Sequence, residues 1–126
     1  PVITMMPGDF VKTYGKGCPG YRKFNAILTC FFLDTTTDIA ELVEVLDGLL
    51  EEGGVWVNVG PLNWSNKARL KLNWEEMMAV WRGLGYEFLT NERAECDYHM
   101  RRGLKMYTES YTCALTAAKK QRQSKV

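Results

Sequence analysis

Asp34 is the residue whose type and position most directly suggest chemistry. It ends an apolar run in the stretch ILTCFFLDTTTD, residues 27–38, where five large apolar side chains precede the carboxylate and three threonines follow it. In open parallel sheets, ligands bind beyond the carboxyl ends of the strands. A carboxylate at that point is more exposed to a ligand than an acid in an ordinary turn. The pattern leaves two interpretations open, because Asp34 could also be a polar residue at the entry to a helix.

Two other polar positions are expected at the same edge of the sheet. Asp9 follows the strand-like stretch VITMMPG, and a loop over residues 60–66 follows the stretch VWVNV. The carboxyl ends of neighbouring parallel strands lie together, so these positions would converge with Asp34. The convergence favours a ligand site, although GDF at 8–10 also fits a turn followed by a core phenylalanine.

The cysteines and the histidine do not form a metal-binding pattern. Cys18, Cys30, Cys96 and Cys113 are scattered without a CxxC pair, and His99 is the single histidine. A structural zinc site needs closer ligand spacing, so no metal is expected. Scattered thiols without a secretory signal indicate reduced, intracellular and mostly buried cysteines. The GxGxxG, Walker, HExxH and GxSxG motifs are absent from the sequence.

Length and charge restrict the class of protein further. The 126 residues suffice for one compact domain, and 16 basic against 15 acidic residues create no field that would attract nucleic acid. No run approaches the roughly 20 apolar residues of a membrane-spanning helix, and no signal peptide is recognised. We therefore expect a cytoplasmic, or also nuclear, protein. Residues 1–119 would form its domain and residues 120–126 a basic, solvated tail.

The elements that would position these side chains begin with a strand over residues 24–34. Its apolar run is continuous, which is typical of a strand buried on both faces of a parallel sheet. A helix follows, capped by Asp38 with Glu41 at the capping-box position and ended by the glycines at 53–54. The next strand covers residues 55–62. The apolar stripe of the helix consists of Ile39, Leu42, Val43, Leu46, Leu49 and Leu50.

The second half contains one more helix and two closing strands. Asn73 caps the helix with Glu76 at the box position, and Gly85 ends it. The side chains expected to be buried are Trp74, Met77, Met78, Trp81 and Leu84. Strands are predicted over residues 86–96 and 107–119. The order predicts an α/β fold of parallel strands with crossover helices, closed by an antiparallel hairpin at a sheet edge.

Five segments follow one another in a distinctive order. They are GDF at 8–10, TCFFLDT at 29–35, LLEEGGVWVNVGPL at 49–62, LNWEEM at 72–77 and YTCAL at 111–115. Together they resemble the C-terminal half of the carnosine N-methyltransferase family over nearly the whole chain. The resemblance implies the C-terminal part of a Rossmann-like class I methyltransferase sheet. It also implies S-adenosylmethionine-dependent methylation of an imidazole nitrogen in a histidine-containing dipeptide (carnosine to anserine) or a related small molecule.

The resemblance implies roles for several residues. Asp9 would accept from the exocyclic amine of the cofactor's adenine, and the Phe10 ring would pack on the base. Cys30 would line the cofactor pocket, although core packing is the alternative. Asp34 would bind the substrate imidazole, fix its tautomer and stabilise the positive charge that develops on the ring. Tyr111 would also contact the substrate, unless it is simply a half-buried strand tyrosine.

Two positions depart from the pattern of the family. Ser65 stands where relatives have a histidine that would take the released proton, and serine has no pKa near neutrality. Glu109 stands where the family has a second tyrosine. His99 is expected to be an exposed loop residue rather than a replacement base, and Trp64 either walls the substrate pocket or faces the interior.

These departures leave a second function open, namely a noncatalytic relative that keeps the fold for binding or assembly. The glycine-rich cofactor loop expected from the resemblance would lie upstream and is absent from this sequence. We therefore expect an incomplete fragment that is inactive by itself. The expected partners are a small-molecule or dipeptide substrate and, as one option, a second copy in a homodimer. A dinucleotide oxidoreductase is a weaker third alternative, because the glycine fingerprint is missing.

Overall fold

The computed structural model describes residues 1–98 and 108–123 and has an α/β architecture. Its elements are α1 (Phe10–Tyr14), β1 (Phe24–Cys30), a 3-10 turn (Leu33–Thr35), α2 (Ile39–Leu49), β2 (Leu50–Gly60), α3 (Trp74–Gly83), β3 (Tyr86–Tyr98) and β4 (Glu109–Lys120). The four-stranded sheet has the order β1-β2-β4-β3. β1 and β2 are parallel, whereas β4 runs antiparallel to both β2 and β3. The predicted fold, with its closing antiparallel hairpin at a sheet edge, is confirmed.

Both main helices begin where their capping residues predict. The Asp38 side chain accepts a hydrogen bond from the Glu41 backbone N–H at 3.1 Å at the start of α2. At the start of α3, the Asn73 side chain accepts from the Glu76 N–H at 2.9 Å. The Glu76 carboxylate accepts from the Asn73 N–H at 2.8 Å, which completes the capping box. These bonds satisfy N–H groups that have no partner within the helix.

The predicted junction between α2 and β2 is wrong by several residues. The helix ends at Leu49 and the strand begins at Leu50, so the glycine pair lies inside β2. The register with β1 jumps from Leu50 to Val55, which leaves a bulge between them. Gly53 adopts φ 80° there, a conformation that favours glycine. The two glycines therefore allow an irregularity in the strand and do not end the helix.

The core lies between one face of the sheet and helices α2 and α3. Trp56 of β2 and Trp81 of α3 stack with their ring centroids 4.2 Å apart, and both are 1% exposed. The predicted stripes of both helices are buried, with one exception. Leu84 is 41% exposed because it follows the last residue of α3 and no longer shares the helical face.

The opposite face of the sheet is less well covered, which contradicts the prediction that β1 is buried on both faces. Leu28 is 71% exposed and Cys30 is exposed. Val55, Val57 and Val59 of β2, on the same face, are only half-buried. β1 pairs with β2 along one of its edges. Its apolar run is typical of a strand with a second neighbour and a second covering layer, and residues 1–98 and 108–123 supply neither.

The N-terminal segment is not the strand that its composition suggests. Residues 1–7 have no regular secondary structure, and Val2 is 95% exposed and Ile3 88% exposed. A strand requires a partner for its backbone hydrogen bonds, and none of the described strands lies beside this segment. Asp9 therefore does not end a strand but precedes helix α1.

Lys120 belongs to the sheet, although the sequence assigned it to the tail. It is the last residue of β4. Its Nζ lies 2.9 Å from the Asp47 carboxylate and donates to the Asp47 carbonyl oxygen at 2.8 Å. A cation at the C-terminal end of α2 stabilises the helix dipole and satisfies a terminal carbonyl. The division of the chain into a domain and a tail stays a prediction. Among the described helices, none has the length and apolarity to cross a membrane.

Candidate active site

The carboxyl end of β1 is shaped by a backbone reversal at Phe31. This residue has φ 48°, in the left-handed region that side chains rarely adopt. Its N–H donates to the Val59 carbonyl at 2.8 Å. A Cβ on Gly60 would lie 3.1 Å from both the N and the Cα of Phe31. The chain therefore turns away from the sheet directly after β1, and the Phe31 backbone packs tightly against Gly60.

The reversal leads into the Leu33–Thr35 turn, which carries Asp34. The Asp34 carboxylate accepts hydrogen bonds from its own backbone N–H and from that of Asn63, in the loop after β2. The side chain is half-buried, and burial raises its pKa above the ordinary value, although both hydrogen bonds act in the opposite direction. Asp38, not Asp34, caps α2. Asp34 is thus held against the loop after β2 and does not serve as the helix cap.

Tyr111, the predicted substrate residue of β4, lies on the poorly covered face of the sheet. Its hydroxyl donates to the Glu109 carboxylate at 2.6 Å. Its ring centroid lies 6.1 Å from that of Phe31 and 6.3 Å from that of Tyr98. The Phe31 and Tyr98 centroids are 5.4 Å apart. The structure therefore brings Tyr111 together with the residue at which β1 reverses.

The thiols of Cys30, Cys96 and Cys113 lie near the rings of Phe31, Tyr98 and Tyr111. The prediction that the cysteines are mostly buried is wrong. Cys113 is buried, but Cys30 is exposed and Cys96 only half-buried, and all are free. Burial, together with the hydrogen-bonded Cys96 thiol and the nearby Glu95 carboxylate, raises the pKa of Cys113 to about 12. Cys113 is therefore a neutral thiol at physiological pH. Cys30 lies on the open face at the end of β1, where a ligand could reach it.

Asp9 and Phe10 lie at the start of helix α1, where Phe10 contacts Phe32, two residues beyond the end of β1. The Asp9 carboxylate caps α1 by accepting from the Lys12 N–H at 3.0 Å, and the residue is exposed. The Phe10 ring packs edge-on to Phe32 with centroids 5.3 Å apart. One Asp9 oxygen accepts the capping bond, and a carboxylate has further acceptor capacity. The predicted contacts of Asp9 and Phe10 with the adenine of the implied cofactor stay predictions.

Ser65, predicted to stand at the position of the family histidine, is exposed in the loop after β2. Its carbonyl oxygen accepts from the Ala68 N–H at 3.1 Å. No bond joins Ser65 to Asp34 among the hydrogen bonds of the described residues. Ser65 therefore supplies no base to the site. His99, the other histidine-related prediction, lies outside the described residues.

Trp64 bounds a neighbouring cavity of about 480 Å³. Its indole N–H donates to the Leu72 carbonyl at 2.9 Å, which fixes the ring. The described residues around this cavity include neither Asp34 nor Tyr111. The remaining lining side chains come from the loop after β2, the start of α3, β3 and the start of β4. They are Pro61, Leu62, Lys71, Leu72, Asn73, Trp74, Glu75, Arg93, Thr112, Cys113 and Ala114. Trp64 thus walls a cavity beside the site.

A family model described as carnosine N-methyltransferase matches residues 2–122. The chain belongs to the carnosine N-methyltransferase family. The family member from Rattus norvegicus is 27% identical over 123 residues, covering 94% of this chain and 30% of that protein. The member from Schizosaccharomyces pombe is 28% identical over 110 residues, 76% of this chain and 29% of that protein. The member from Dictyostelium discoideum is 31% identical over 99 residues, 76% of this chain and 20% of that protein.

The predicted resemblance to carnosine N-methyltransferases is therefore confirmed, and the chain spans about 30% of the length of the rat relative. The roles of individual residues stay predictions. Among the residues that the sequence argument missed are Phe31 and Tyr98, whose rings lie beside that of Tyr111. Gly60 directly after an apolar strand was the available signal for the close approach to Phe31.

Proposed function

We propose that the full-length protein is an S-adenosylmethionine-dependent N-methyltransferase that acts on an imidazole nitrogen of a histidine-containing dipeptide or a related small molecule. The observation that supports this most is the position of Asp34. Its half-buried carboxylate lies at the carboxyl end of a parallel strand, held by the Asn63 N–H, in a chain of the carnosine N-methyltransferase family. Ligands of open α/β sheets bind at such strand ends.

Asp34 would orient the methyl acceptor. Its carboxylate would accept the N–H of one imidazole nitrogen, which fixes the tautomer and leaves the lone pair of the other nitrogen as nucleophile. Methyl transfer is an in-line displacement, so this orientation removes much of the entropic barrier. The same carboxylate would stabilise the positive charge that appears on the ring as the new N–C bond forms.

Three predicted residues would hold the methyl donor. S-Adenosylmethionine, when bound, supplies an electrophilic methyl group on a sulfonium. Asp9 would accept from the adenine amine, Phe10 would pack against the base, and Cys30 would line the pocket on the open face of the sheet. The exposure of Asp9 and Cys30 leaves both accessible for these contacts.

The released proton has a path that does not need a histidine. After transfer, the methylated ring carries a positive charge and still holds the N–H that Asp34 accepts. Loss of that proton gives the neutral product, and the Asp34 carboxylate is the group in direct contact with it. Burial raises the Asp34 pKa, which improves the carboxylate as a proton acceptor. Asp34 would then pass the proton to solvent.

The test combines calorimetry and methyl-transfer assays on the full-length protein. We expect S-adenosylmethionine to bind and carnosine to be methylated. Asp34→Asn should lower kcat by roughly 100-fold or more, as the loss of an acid–base group does, while the cofactor Kd changes less than about threefold. An equal loss of turnover and of cofactor affinity would contradict a substrate role for Asp34. Failure to bind the cofactor would contradict the enzyme function altogether.

The noncatalytic alternative is favoured by one observation, the exposed Ser65 at the position of the family histidine. It predicts a different result in the same experiment. Cofactor or dipeptide would bind, but no methyl group would be transferred to carnosine or to any other imidazole compound.

A further inference from the structure

The loop that follows β2 is fastened at two places to the segment between β1 and α2. Near the start of the loop, the Asn63 N–H donates to the Asp34 carboxylate. Further along, the Arg69 N–H donates to the Thr37 carbonyl at 2.9 Å. Residues 61–73 all belong to the described part of the chain, and they form neither helix nor strand. The position of the Asn63 N–H therefore depends on what holds the loop itself.

Trp64 holds the start of this loop. Its indole N–H donates to the Leu72 carbonyl at 2.9 Å. Its half-buried ring packs against the core, as do Leu62 and Leu72. Leu72 directly precedes Asn73, which caps α3. The bond thus ties the residue after Asn63 to the fixed beginning of a helix.

The bond between Asn63 and Asp34 is sensitive to the position of the loop, because a hydrogen bond weakens steeply when its donor is misaligned. This N–H supplies a donor to a half-buried carboxylate whose charge is disfavoured by burial. A shift of the Asn63 peptide would remove that donor and free the carboxylate to rotate away from the methyl acceptor. A misplacement of about 1 Å can lower a reaction rate by about 100-fold.

We propose that Trp64 is a positioning residue for the methyl acceptor: its bond to Leu72 holds the Asn63 N–H on the Asp34 carboxylate, which in turn orients the imidazole. The inference rests on the proposed function, which assigns the imidazole to Asp34. Trp64 needs no contact with the acceptor in this arrangement. Asp34 is not among the described residues around the cavity that Trp64 walls, so the indole acts on the carboxylate through the backbone of the loop.

Two matched substitutions separate positioning from a general loss of stability. Trp64→Phe keeps an aromatic ring and removes the N–H donor. Trp74→Phe does the same in helix α3 on the wall of the same cavity, where the Trp74 indole N–H donates to the Asn91 side-chain oxygen at 2.9 Å. Each variant loses one hydrogen bond of the same type and length, so we expect both to lower the melting temperature of the full-length protein.

The first measurement is hydrogen exchange at the Asn63 amide of the full-length protein, by mass spectrometry with fragmentation to single residues. It reports the bond to Asp34 and requires neither substrate nor turnover. We expect Trp64→Phe to accelerate this exchange by roughly fivefold or more, because the Leu72 bond no longer opposes opening of the loop. Trp74→Phe should leave the exchange rate within about twofold of the wild type.

The second measurement is equilibrium binding of carnosine, by calorimetry, to the protein saturated with S-adenosylhomocysteine. Trp64→Phe should weaken carnosine binding by roughly fivefold or more, whereas the affinity for S-adenosylmethionine should change less than about twofold. Trp74→Phe should alter neither. In an Asp34→Ala background, Trp64→Phe should weaken carnosine binding by less than about twofold further, because the side chain that it positions is already gone. A role in stability alone would give additive losses.

Four outcomes would overturn the inference: no binding of carnosine by the wild type, unchanged exchange at Asn63 in Trp64→Phe, equal weakening of carnosine binding by both tryptophan variants, or an additive loss in the Asp34→Ala background. Methyl transfer by the wild type alongside unchanged exchange at Asn63 would leave the proposed function standing. Accelerated exchange with the expected loss of carnosine binding, in a protein that transfers no methyl group, would support the inference and contradict the proposed function.

Discussion

Asp34 combines a proposed role in the reaction with an unfavourable position for a charge. Burial raises its pKa in the folded protein above the ordinary value of 3.8. The stability contributed by this group is therefore fully present below pH 3.8 and is lost as the pH rises through the higher folded pKa. Asp34→Asn, which can still accept from the Asn63 N–H, should raise the melting temperature of the full-length protein at pH 7.

The decisive measurement is the pH dependence of the difference in melting temperature between the Asp34→Asn variant and the wild type. The advantage of the Asp34→Asn variant should shrink as the pH approaches 4 and vanish below it, because the wild-type carboxyl is then protonated in both folded and unfolded states. Glu52→Gln is a control for the removal of one negative charge, since Glu52 is exposed. A melting temperature for Asp34→Asn that is lower than wild type at pH 7 would contradict the argument.

Ser65 offers a test of how the proton leaves the site. Ser65→His should fit without steric conflict because position 65 is exposed. If a missing base limits the reaction, the variant should raise turnover on carnosine by roughly tenfold and introduce an acid limb with a pKa near 6.5. Asn66→His places the same group on the neighbouring exposed position and should have no such effect. Unchanged turnover in Ser65→His would mean that proton removal is not limiting.

At the level of single residues, the sequence predicted Asp34 as a site residue but did not predict the rings of Phe31 and Tyr98 beside Tyr111. Asp34 could be found because a carboxylate after an apolar strand is visible in the sequence. Phe31 could not, because its neighbours make it look like one more residue of the strand. Its ring reaches Tyr111 and Tyr98 only because the backbone reverses at φ 48°. That reversal depends on contacts with Val59 and Gly60, which are distant in the sequence.

Among the elements, those with local signals were predicted best. Asp38 and Asn73 cap their helices through hydrogen bonds within one turn, so the sequence nearby contains all the information. The prediction of a strand over residues 1–7 was wrong, because a strand needs a neighbouring strand to pair with and the sequence of the segment does not specify one. The prediction that the glycines at 53–54 end helix α2 was wrong for a related reason. They end helices in many proteins, whereas here the register between β1 and β2 assigns them to a bulge.

The contact between the end of β1 and the end of β2 can be tested at Gly60. A Cβ added there would lie 3.1 Å from the Phe31 backbone, and the φ of 155° is rarely adopted by other residues. Gly60→Ala should therefore lower the free energy of unfolding of the full-length protein by about 1–3 kcal/mol. Substrate affinity should fall as well, because Phe31 and the turn that carries Asp34 would have to shift.

Gly83→Ala is the matched control for Gly60→Ala. A Cβ at position 83 meets no atom within 4 Å, and the residue ends helix α3, where alanine is favourable. We expect its unfolding free energy, measured by urea denaturation, to equal or slightly exceed that of the wild type. Equal stability of the two alanine variants would show that the approach of Gly60 to Phe31 imposes no constraint.

For the whole molecule, the most informative feature is the difference between the two faces of the sheet. One face is covered by α2 and α3 and buries Trp56, Asn58 and Thr116 almost completely. On the other face Leu28 is 71% exposed, and the valines of β2 are half-buried. Isolated apolar patches of this kind mark surfaces that another structure covers. Since the chain spans about 30% of the rat relative, we propose that further polypeptide covers this face in the full-length protein.

Leu28→Lys distinguishes a covered face from an open one. In a polypeptide limited to residues 1–126, Leu28 is 71% exposed, so the lysine should change stability by less than about 0.5 kcal/mol. In the full-length protein, where we propose that the residue is buried, an unpaired lysine should destabilise by about 3 kcal/mol or more. Leu70→Lys, at a residue that is 49% exposed in the loop before α3, should be nearly neutral in both polypeptides. If Leu28→Lys is equally neutral in both, this face remains exposed to solvent in the full-length protein and the proposal that further polypeptide covers it is wrong.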